Sequence, residues 1–353
     1  MSSIYQNKAF VKEATLSNIS LPLVRAQTIY PGQMGVSGSD VQRGLRWEPQ
    51  GIVLYVDDEH NNATADADGT DPENPLTTVT LAVARLIAFA TAMATSLEGS
   101  VIVVANEATI AESVVVPVTA PANCVLLGAG GSRNAPNWTT ATPTGVALTL
   151  QQEGWVVEGF QFNAGAGGTS IRLEWAAGTT SNANRCLIRN NHFNGAWGGL
   201  YGIELWGAPY DTWIIGNEFR EYTRDDTTAH AIICTETGEA MPYMSVIQGN
   251  LFWENENHIS SLGDVRGLCN SIITDNVFKE GVLIAATDIL NLRAGPGSSG
   301  RNTVTRNVFE GLYSVANGYA AHATLPGNWV GNIAEDVASP QVADNGFTVA
   351  VPV

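Results

Sequence analysis

A short sequence pattern recurs through the second half of the chain and limits its fold more than any other feature. The segments VVEGFQF, LIRNNHF, IIGNEF, VIQGNLF, IITDNVF and TVTRNVF each place apolar residues first and, in most copies, end in Asn, one variable residue and Phe. The final Phe residues are 31, 26, 33, 26 and 31 residues apart. A repeat of this length indicates a solenoid, because each copy is too short to bury a core alone and has to stack on its neighbours.

The composition of the copies favours a β-solenoid over a helical one. They contain short apolar strands and Gly or Asn turns, and they show little helical periodicity. We expect stacked Phe side chains in the interior and stacked Asn side chains at a bend, where Asn tolerates the left-handed conformation and bonds the next coil. The predicted structural ladder is Asn191, Asn217, Asn250, Asn276, Asn307 and Asn332 with Phe162, Phe193, Phe219, Phe252, Phe278 and Phe309. Phe160 takes the Asn place in the first copy, and Ala334 takes the Phe place in the last.

The segment before the repeats has the order strand, acidic loop, helix, strand. GIVLYV is followed by DDEHNNATADADGTDPENP, then by apolar residues at helical spacing that predict a helix over about 78–97, then by VIVVAN and SVVVPV. We predict an extended N-terminal arm over 1–50, an N-terminal cap with the first coils over 51–123, β-helix repeats over 124–340 and a C-terminal cap strand over 341–353.

These segments together resemble the right-handed parallel β-helix (pectate-lyase-like) superfamily, over residues 51–340. The resemblance implies an all-β fold, a right-handed parallel β-helix with a short N-terminal capping helix and an extended N-terminal arm. That family includes polysaccharide lyases and hydrolases and many bacteriophage virion surface proteins. The resemblance is specific for the fold and nearly silent on activity.

Charge divides the chain into two unequal parts. The net charge is −17, with 34 acidic and 17 basic residues. Residues 1–50 carry five basic and three acidic residues, a net charge of +2, which leaves −19 for the body. An acidic body argues against a nucleic-acid partner and against binding to anionic membranes. We also predict no membrane insertion, because no apolar stretch of about 18 residues occurs.

The arm has scattered apolar residues, several Pro and Gly residues and no sustained period. We predict that it attaches the protein to a phage capsid or to other virion proteins; the alternative is that it folds back on its own domain. The predicted attachment residues are Tyr5, Lys8, Phe10, Lys12, Arg25, Tyr30, Arg43 and Arg46. The N-terminus has no apolar signal region, so we expect synthesis in a host cytoplasm and a final location on the virion surface.

No catalytic residue is predicted from the sequence. A polygalacturonase-type hydrolase would need three acidic or His-containing motifs on successive coils, and the coil region offers only Asp225-Asp226. The densest polar set is predicted to be a solvated loop; its members are Glu254, Glu256, His258, Asp264 and Arg266. The enzyme question stays open with a preference for no activity; an active protein would be a polysaccharide lyase or a glycoside hydrolase.

No cofactor is expected, and the metal question stays open. Four widely spaced cysteines form no zinc-binding pair and are predicted to be buried thiols. Asp66, Asp68 and Asp71 begin like a Ca²⁺ loop, but Thr77 stands where an EF-hand would have its bidentate Glu. They are weak candidates for a Ca²⁺ site, and the alternative is a solvated capping loop.

Aromatic residues supply a candidate contact surface, formed by Trp197, Tyr201, Trp206, Tyr210 and Trp213. Three alternatives stay open for it: stacking on sugar rings, packing against a neighbouring subunit, or covering the helix exterior.

The sequence therefore favours a structural protein on the exterior of a bacteriophage virion, a capsid decoration or head-appendage protein that forms a homotrimer. The alternative is a tail spike that binds or depolymerises host surface polysaccharide, which predicts two carboxylates on adjacent coils. A third hypothesis is a non-catalytic adhesin for host glycans.

Overall fold

From residue 51 onward the chain winds into a parallel β-helix, in which successive coils contribute one strand to each of three sheets. The computed structural model describes residues 51–130, 134–175, 182–223, 229–235, 242–261, 267–279, 288–292, 301–310, 319–320 and 327–334. The predicted attachment arm, Asp225-Asp226 and the predicted C-terminal cap strand lie outside these residues. The predicted all-β parallel β-helix with one short helix is confirmed.

All strand pairs between coils are parallel, and the strands are numbered here in chain order. The first sheet contains β1 (Val53–Val56), β2 (Val101–Val104), β5 (Val125–Gly128), β8 (Val156–Glu158), β11 (Leu187–Arg189), β14 (Trp213–Ile215), β17 (Val246–Gln248), β20 (Ile272–Thr274), β23 (Thr303–Thr305) and β26 (Asn328–Val330). The second contains β3 (Thr109–Ala111), β6 (Asn137–Thr139), β9 (Gln161–Asn163), β12 (His192–Asn194), β15 (Glu218–Arg220), β18 (Leu251–Trp253), β21 (Val277–Lys279), β24 (Val308–Glu310) and β27 (Ile333–Ala334). The third contains β4 (Val114–Val116), β7 (Val146–Leu150), β10 (Thr169–Trp175), β13 (Tyr201–Gly207), β16 (His230–Cys234), β19 (Asn257–Ser261), β22 (Asp288–Asn291) and β25 (Tyr319–Ala320).

Helix α1 (Val79–Met93) packs against the first coils. Thr78 caps its N-terminus, because its hydroxyl accepts a hydrogen bond from the Leu81 N–H at 3.1 Å. The helix was expected to reach about residue 97, but it ends at Met93 because Ala94 adopts the left-handed conformation at φ 52°. Among the described residues, no helix is long and apolar enough to cross a membrane.

The predicted Phe column is confirmed and fills the interior behind the second sheet. Consecutive rings from Phe162 to Phe309 are stacked with centroids 4.7–5.1 Å apart and interplanar angles of 4–11°. Trp138 begins the column 5.4 Å from Phe162, and Ala334 pairs in register with Phe309 at the other end. Each stacked pair contributes about 0.5–1.5 kcal/mol beyond the burial of its area.

The predicted Asn ladder is also confirmed, at the bend between the first and second sheets. In each step from Asn191 to Asn332, the side-chain oxygen of one Asn accepts hydrogen bonds from the backbone N–H and the side-chain amide of the Asn one coil earlier, at 2.9–3.2 Å. Phe160, in the Asn place, donates its backbone N–H to Asn191 at 3.0 Å. The ladder therefore satisfies a run of buried backbone groups that no strand pairing reaches.

One detail of the predicted bend is wrong: the ladder Asn residues do not adopt the left-handed conformation. The residue before each ladder position does, at φ values of 53–83°. These preceding residues are Gly159, Asn190, Gly216, Gly249, Asp275, Arg306 and Gly331. Gly, Asn and Asp recur there because they tolerate this conformation best, and the ladder Asn is then free to point into the helix.

The four cysteines, Cys124, Cys186, Cys234 and Cys269, are free and buried, as expected. Burial raises the pKa of Cys124, Cys186 and Cys234 to about 12. These thiols therefore act as small apolar side chains of the core.

Candidate functional site on the outer face of the third sheet

In each coil, the connection of constant length and the connections of variable length lie at different corners of the β-helix. From β8 onward, the step from the first to the second sheet always takes two residues. The connections from the second to the third sheet take three to nine residues, and those from the third back to the first take five to eleven. The variation in repeat length therefore comes from the two rows of connections that flank the third sheet, which is where long loops can build a site on a rigid floor.

The third sheet bends, and the bend turns side chains from different positions toward one another. Ile203 and Gly202 both face the interior: Ile203 is buried, and a Cβ on Gly202 would lie 3.0 Å from the buried Phe219 ring. In register one and two coils on, Ala231 and Ile232 are buried, and His258 contacts interior Phe rings. Two successive inward residues produce a local change of direction, so the outer residues on either side of them converge.

On one side of the bend, an ion pair joins two coils. Arg172 on β10 lies in register with Glu204 on β13, and its Nε donates to Glu204 Oε2 at 2.7 Å. The hydroxyl of Thr235 donates to the other carboxylate oxygen at 2.8 Å. Glu204 is buried, although its position alternates with inward Ile203 and Leu205 and so faces outward. Its carboxylate is therefore fixed, and each oxygen has a defined donor.

On the other side of the bend, Tyr201 and His230 lie in register, and their rings are 5.8 Å apart. His230 Nδ1 shares a hydrogen bond with the Ser260 hydroxyl, which stands in the same outward row as Glu204. Burial lowers the pKa of His230 to about 3, so the ring is neutral at physiological pH. Its buried Nε2 has no hydrogen-bond partner among the described residues.

Burial also raises the pKa of Tyr201, and the negative charge of Glu204 adds to this effect. Tyr201 is half-buried, and its hydroxyl stays protonated. Tyr201 and His230 therefore present neutral polar atoms beside the charged Arg172–Glu204 pair.

Two further outward side chains extend this face along the strands. Glu174 on β10 lies in register with Trp206 on β13, and both are half-buried. Glu174 and Glu204 stand on adjacent coils with an offset of two residues, which places their Cβ atoms about 8 Å apart by strand geometry. We name Arg172, Glu174, Tyr201, Glu204, Trp206, His230, Thr235 and Ser260 the third-sheet face.

The aromatic residues predicted as one contact cluster do not form one surface. Tyr201 and Trp206 belong to the third-sheet face, whereas Trp213 is an exposed residue of the first sheet and Trp197 is exposed in the turn after β12. Tyr210 stacks on Tyr243 at 5.3 Å between the third and first sheets. The spacing in sequence is short, but each strand of a coil turns its residues toward a different side of the solenoid.

The acidic loop keeps its Asp side chains exposed and locally hydrogen-bonded. Asp68 accepts hydrogen bonds from the Thr70 N–H and hydroxyl, both at 2.8 Å, which lower its pKa. Asp71 accepts from the Glu73 N–H at 3.0 Å, and Asp66 is exposed. Within the described ranges, no group of three or more His, Cys, Asp or Glu side chains is arranged to hold a metal ion.

The described part of the predicted polar set, Glu254, Glu256 and His258, is not a solvated loop, and Asp264 and Arg266 lie outside the described residues. His258 is fully buried between the Phe252 and Phe278 rings, and burial lowers its pKa to about 3. The Glu256 carboxylate accepts the Ala229 N–H at 3.0 Å. The prediction was wrong because the connection before β19 takes only three residues. Strand β19 therefore starts at Asn257, and the His258 side chain lies in the interior of the β-helix.

Sequence reasoning found Tyr201 and Trp206 and missed Arg172, Glu204 and His230. One signal was present: IRLEW and IELWG both alternate apolar and polar residues, as half-exposed strands do. That signal gives the outward side of each strand but does not show that the two strands are neighbours in register.

Comparison with known proteins gives matches in structure only. No family model matches the sequence, and no curated protein matches it. An alginate lyase from Paenibacillus sp. is similar at 16% identity and a TM-score of 0.45, covering 64% of this chain and 74% of the lyase. Escherichia coli YbhC is similar at 12% identity and a TM-score of 0.49, covering 86% of this chain and 81% of YbhC. The Dettilon tailspike protein is similar at 11% identity and a TM-score of 0.25, covering 79% of this chain and 67% of the tailspike. These values leave the activity of the chain unassigned.

Proposed function

We propose that this protein binds a polysaccharide along the third-sheet face. The observation that carries the proposal is the convergence of Arg172–Glu204–Thr235 and Tyr201–His230–Ser260 at the bend of the sheet. A sugar chain presents hydroxyl groups, which need both donors and acceptors, and apolar ring faces, which pack on aromatic rings. The half-buried Arg172, Glu174, Tyr201 and Trp206 supply a guanidinium, a carboxylate, a hydroxyl and two aromatic rings. Glu204, His230 and Ser260 are buried behind them and support them.

The polar groups of the face are held before any ligand arrives. Glu204 is fixed by two donors from neighbouring coils, and His230 is fixed by Ser260. Groups fixed in this way lose little conformational entropy on binding, which favours specific recognition.

Titration calorimetry on the parent chain and a matched pair of variants tests the proposal. Oligosaccharides from bacterial capsules and lipopolysaccharides are first screened on an array, and the best binder is titrated. Arg172→Gln removes one partner of Glu204, and we expect affinity to fall at least about tenfold, because a desolvated charge loses its partner.

Arg189→Gln is the matched control for this experiment. Arg189 makes the same kind of ion pair between coils, with Glu158 at 2.8 Å, but on the outer face of the first sheet. We expect it to bind as the parent does. Absence of binding to every oligosaccharide, or an equal loss in both variants, would contradict the proposal.

A second candidate function, hydrolysis of the bound polysaccharide, is favoured by one observation. Inverting glycoside hydrolases use two carboxyl groups with room for a water between them, and Glu174 and Glu204 are carboxylates on the same outer face of adjacent coils. Release of reducing ends from the array binder measures this activity. We expect Glu174→Gln to abolish release while binding persists; release that is unchanged in Glu174→Gln would exclude this pair.

A location on the surface of a bacteriophage virion and a homotrimeric state are also proposals, supported by the resemblance and by the charge difference between arm and body. A polysaccharide-binding face agrees better with the tail-spike alternative than with capsid decoration. Sedimentation equilibrium of the full chain tests the trimer, and immunogold labelling of particles tests the location. A monomer, or unlabelled particles, would contradict the respective proposal.

A further inference from the structure

The outer face of the first sheet carries an apolar cluster at its first coils. Its members are Val103, Val125, Leu127, Ala129 and Val156, and they form a cluster separate from the interior core. Val103 and Leu127 pair in register, and they alternate with the inward Ile102 and Leu126, so they face away from the interior. We name these five residues the proximal patch.

The proximal patch is buried although it faces outward. Val125 is 2% exposed, whereas Ile272, in the same outward row of the same sheet, is 42% exposed. Both stand between neighbouring strands, and Val125, Val156, Leu187, Trp213, Val246 and Ile272 follow one another in register. Lateral stacking within the sheet is therefore not enough to bury Val125, and another part of the chain covers it.

The cover does not come from described apolar residues elsewhere. The partly buried apolar residues that pack against the proximal patch are Val53, Tyr55, Val101 and Leu187, and all four belong to the same sheet. Of the segments outside the described ranges, 131–133 and 176–181 are short and 335–353 follows the last coil, whereas 1–50 is the longest and precedes β1.

The length of residues 1–50 and their position in the chain suit this role. They end just before β1, whose Val53 and Tyr55 border the proximal patch. Fifty residues reach far beyond what is needed to cross three or four strands spaced about 4.8 Å apart. The segment also supplies apolar side chains, namely Ile4, Phe10, Leu16, Ile19, Leu21, Leu23 and Ile29.

We propose that residues 1–50 pack their apolar side chains across the proximal patch, so that the N-terminal arm covers the outer face of the first sheet at its first coils. This is the alternative in which the arm folds back on its own domain. Packing of this kind would leave the basic residues of the arm for contacts with other proteins, and it protects an apolar sheet face that would otherwise promote association.

Thiol labelling of the full chain tests the proposal. Val125→Cys places a reporter in the proximal patch, and Ile272→Cys is the matched control in the same row. The native cysteines are buried, and the parent chain measures their background. With a small disulfide reagent in excess, we expect Cys at 125 to react at least about tenfold more slowly than Cys at 272, since it reacts only after local opening.

A second set of variants identifies the cover. Leu16→Asp, Ile19→Asp and Leu21→Asp are introduced together into each reporter chain. We expect labelling at position 125 to accelerate at least about tenfold and labelling at 272 to stay unchanged. Val103→Cys serves as the reporter if Val125→Cys does not fold. Fast labelling at position 125 in the chain with the unmodified arm would overturn the proposal, as would slow labelling at 125 that persists after the three substitutions. Slow labelling at 125 that depends on protein concentration would also overturn it and would indicate a second copy as the cover.

Discussion

The corner between the first and second sheets and the outer face of the third sheet differ in regularity and in chemistry. The corner takes two residues in every coil from β8 onward and repeats the same Asn and Phe contacts. The third sheet is flanked by connections of three to eleven residues and carries a different polar group in each coil. In this solenoid, repetition marks the part that holds the coils together, and departure from repetition marks the part that is free to acquire a function.

Removing a ring from the Phe column should have the largest effect on stability. Phe219→Ala deletes a fully buried side chain stacked on two rings and leaves a cavity, so we expect a loss of about 3–5 kcal/mol. Chemical denaturation measures it. Trp213→Ala, which removes an exposed aromatic side chain from the first sheet, should cost less than about 1 kcal/mol. Equal losses would show that the column is not the main support of the coils.

Breaking the Asn ladder should have the next largest effect. Asn250→Ala removes an acceptor for the Asn217 backbone N–H and a donor to the Ile214 carbonyl, both at 2.9 Å. Two backbone groups are left unsatisfied inside the helix, so we expect a loss of about 2–3 kcal/mol in the same denaturation experiment. Asn194→Ala, which removes an exposed turn contact to Ala196, is the control and should cost less than about 1 kcal/mol.

Acid should destabilise the β-helix, because its buried histidines are neutral in the folded chain. His258 has a pKa of about 3 in the folded chain, below the ordinary value of about 6.5. The unfolded chain therefore binds a proton between these pH values that the folded chain does not. Stability falls as pH drops from about 6.5 toward 3, by about 1.4 kcal/mol per pH unit for one such group.

His258→Leu should lower the slope by about 1.4 kcal/mol per pH unit and leave the contribution of the buried His230, whose pKa is also about 3. Thermal unfolding of the parent and the variant between pH 7 and pH 4 measures the difference. A variant with the parental slope would show that His258 does not carry the acid sensitivity.

Replacing the left-handed residue before a ladder Asn should have the smallest effect on stability. Gly249 has φ 65°, and a Cβ there would meet nothing within 4 Å, so Gly249→Ala tests conformation alone. We expect a loss of about 1 kcal/mol. Gly249→Asn should lose less, because Asn tolerates the left-handed region. If Asn is as unfavourable as Ala, the explanation of the recurring Gly, Asn and Asp at this place is wrong.

The same contrast explains what the sequence could predict. The Asn and Phe columns repeat one local signature, so their stacking followed from spacing alone. The left-handed residue was assigned to the ladder Asn because a spacing pattern does not distinguish a turn residue from its neighbour.

The third-sheet face could not be predicted, because its register depends on connections of unequal length. The inward Ile of the next strand follows the column Phe at position +9 in the coil of Phe162, +10 in that of Phe193 and +13 in that of Phe219. No constant offset therefore brings Arg172, Glu204 and Ser260 into one row.

A crystal structure of the full chain with the oligosaccharide that binds most tightly tests the central claim most directly. We expect electron density along the third-sheet face, with hydroxyl groups within hydrogen-bond distance of Arg172 or Glu174 and a sugar ring against Tyr201 or Trp206. Density confined to the first sheet around Trp213, or to the corner of the Asn ladder, would contradict it.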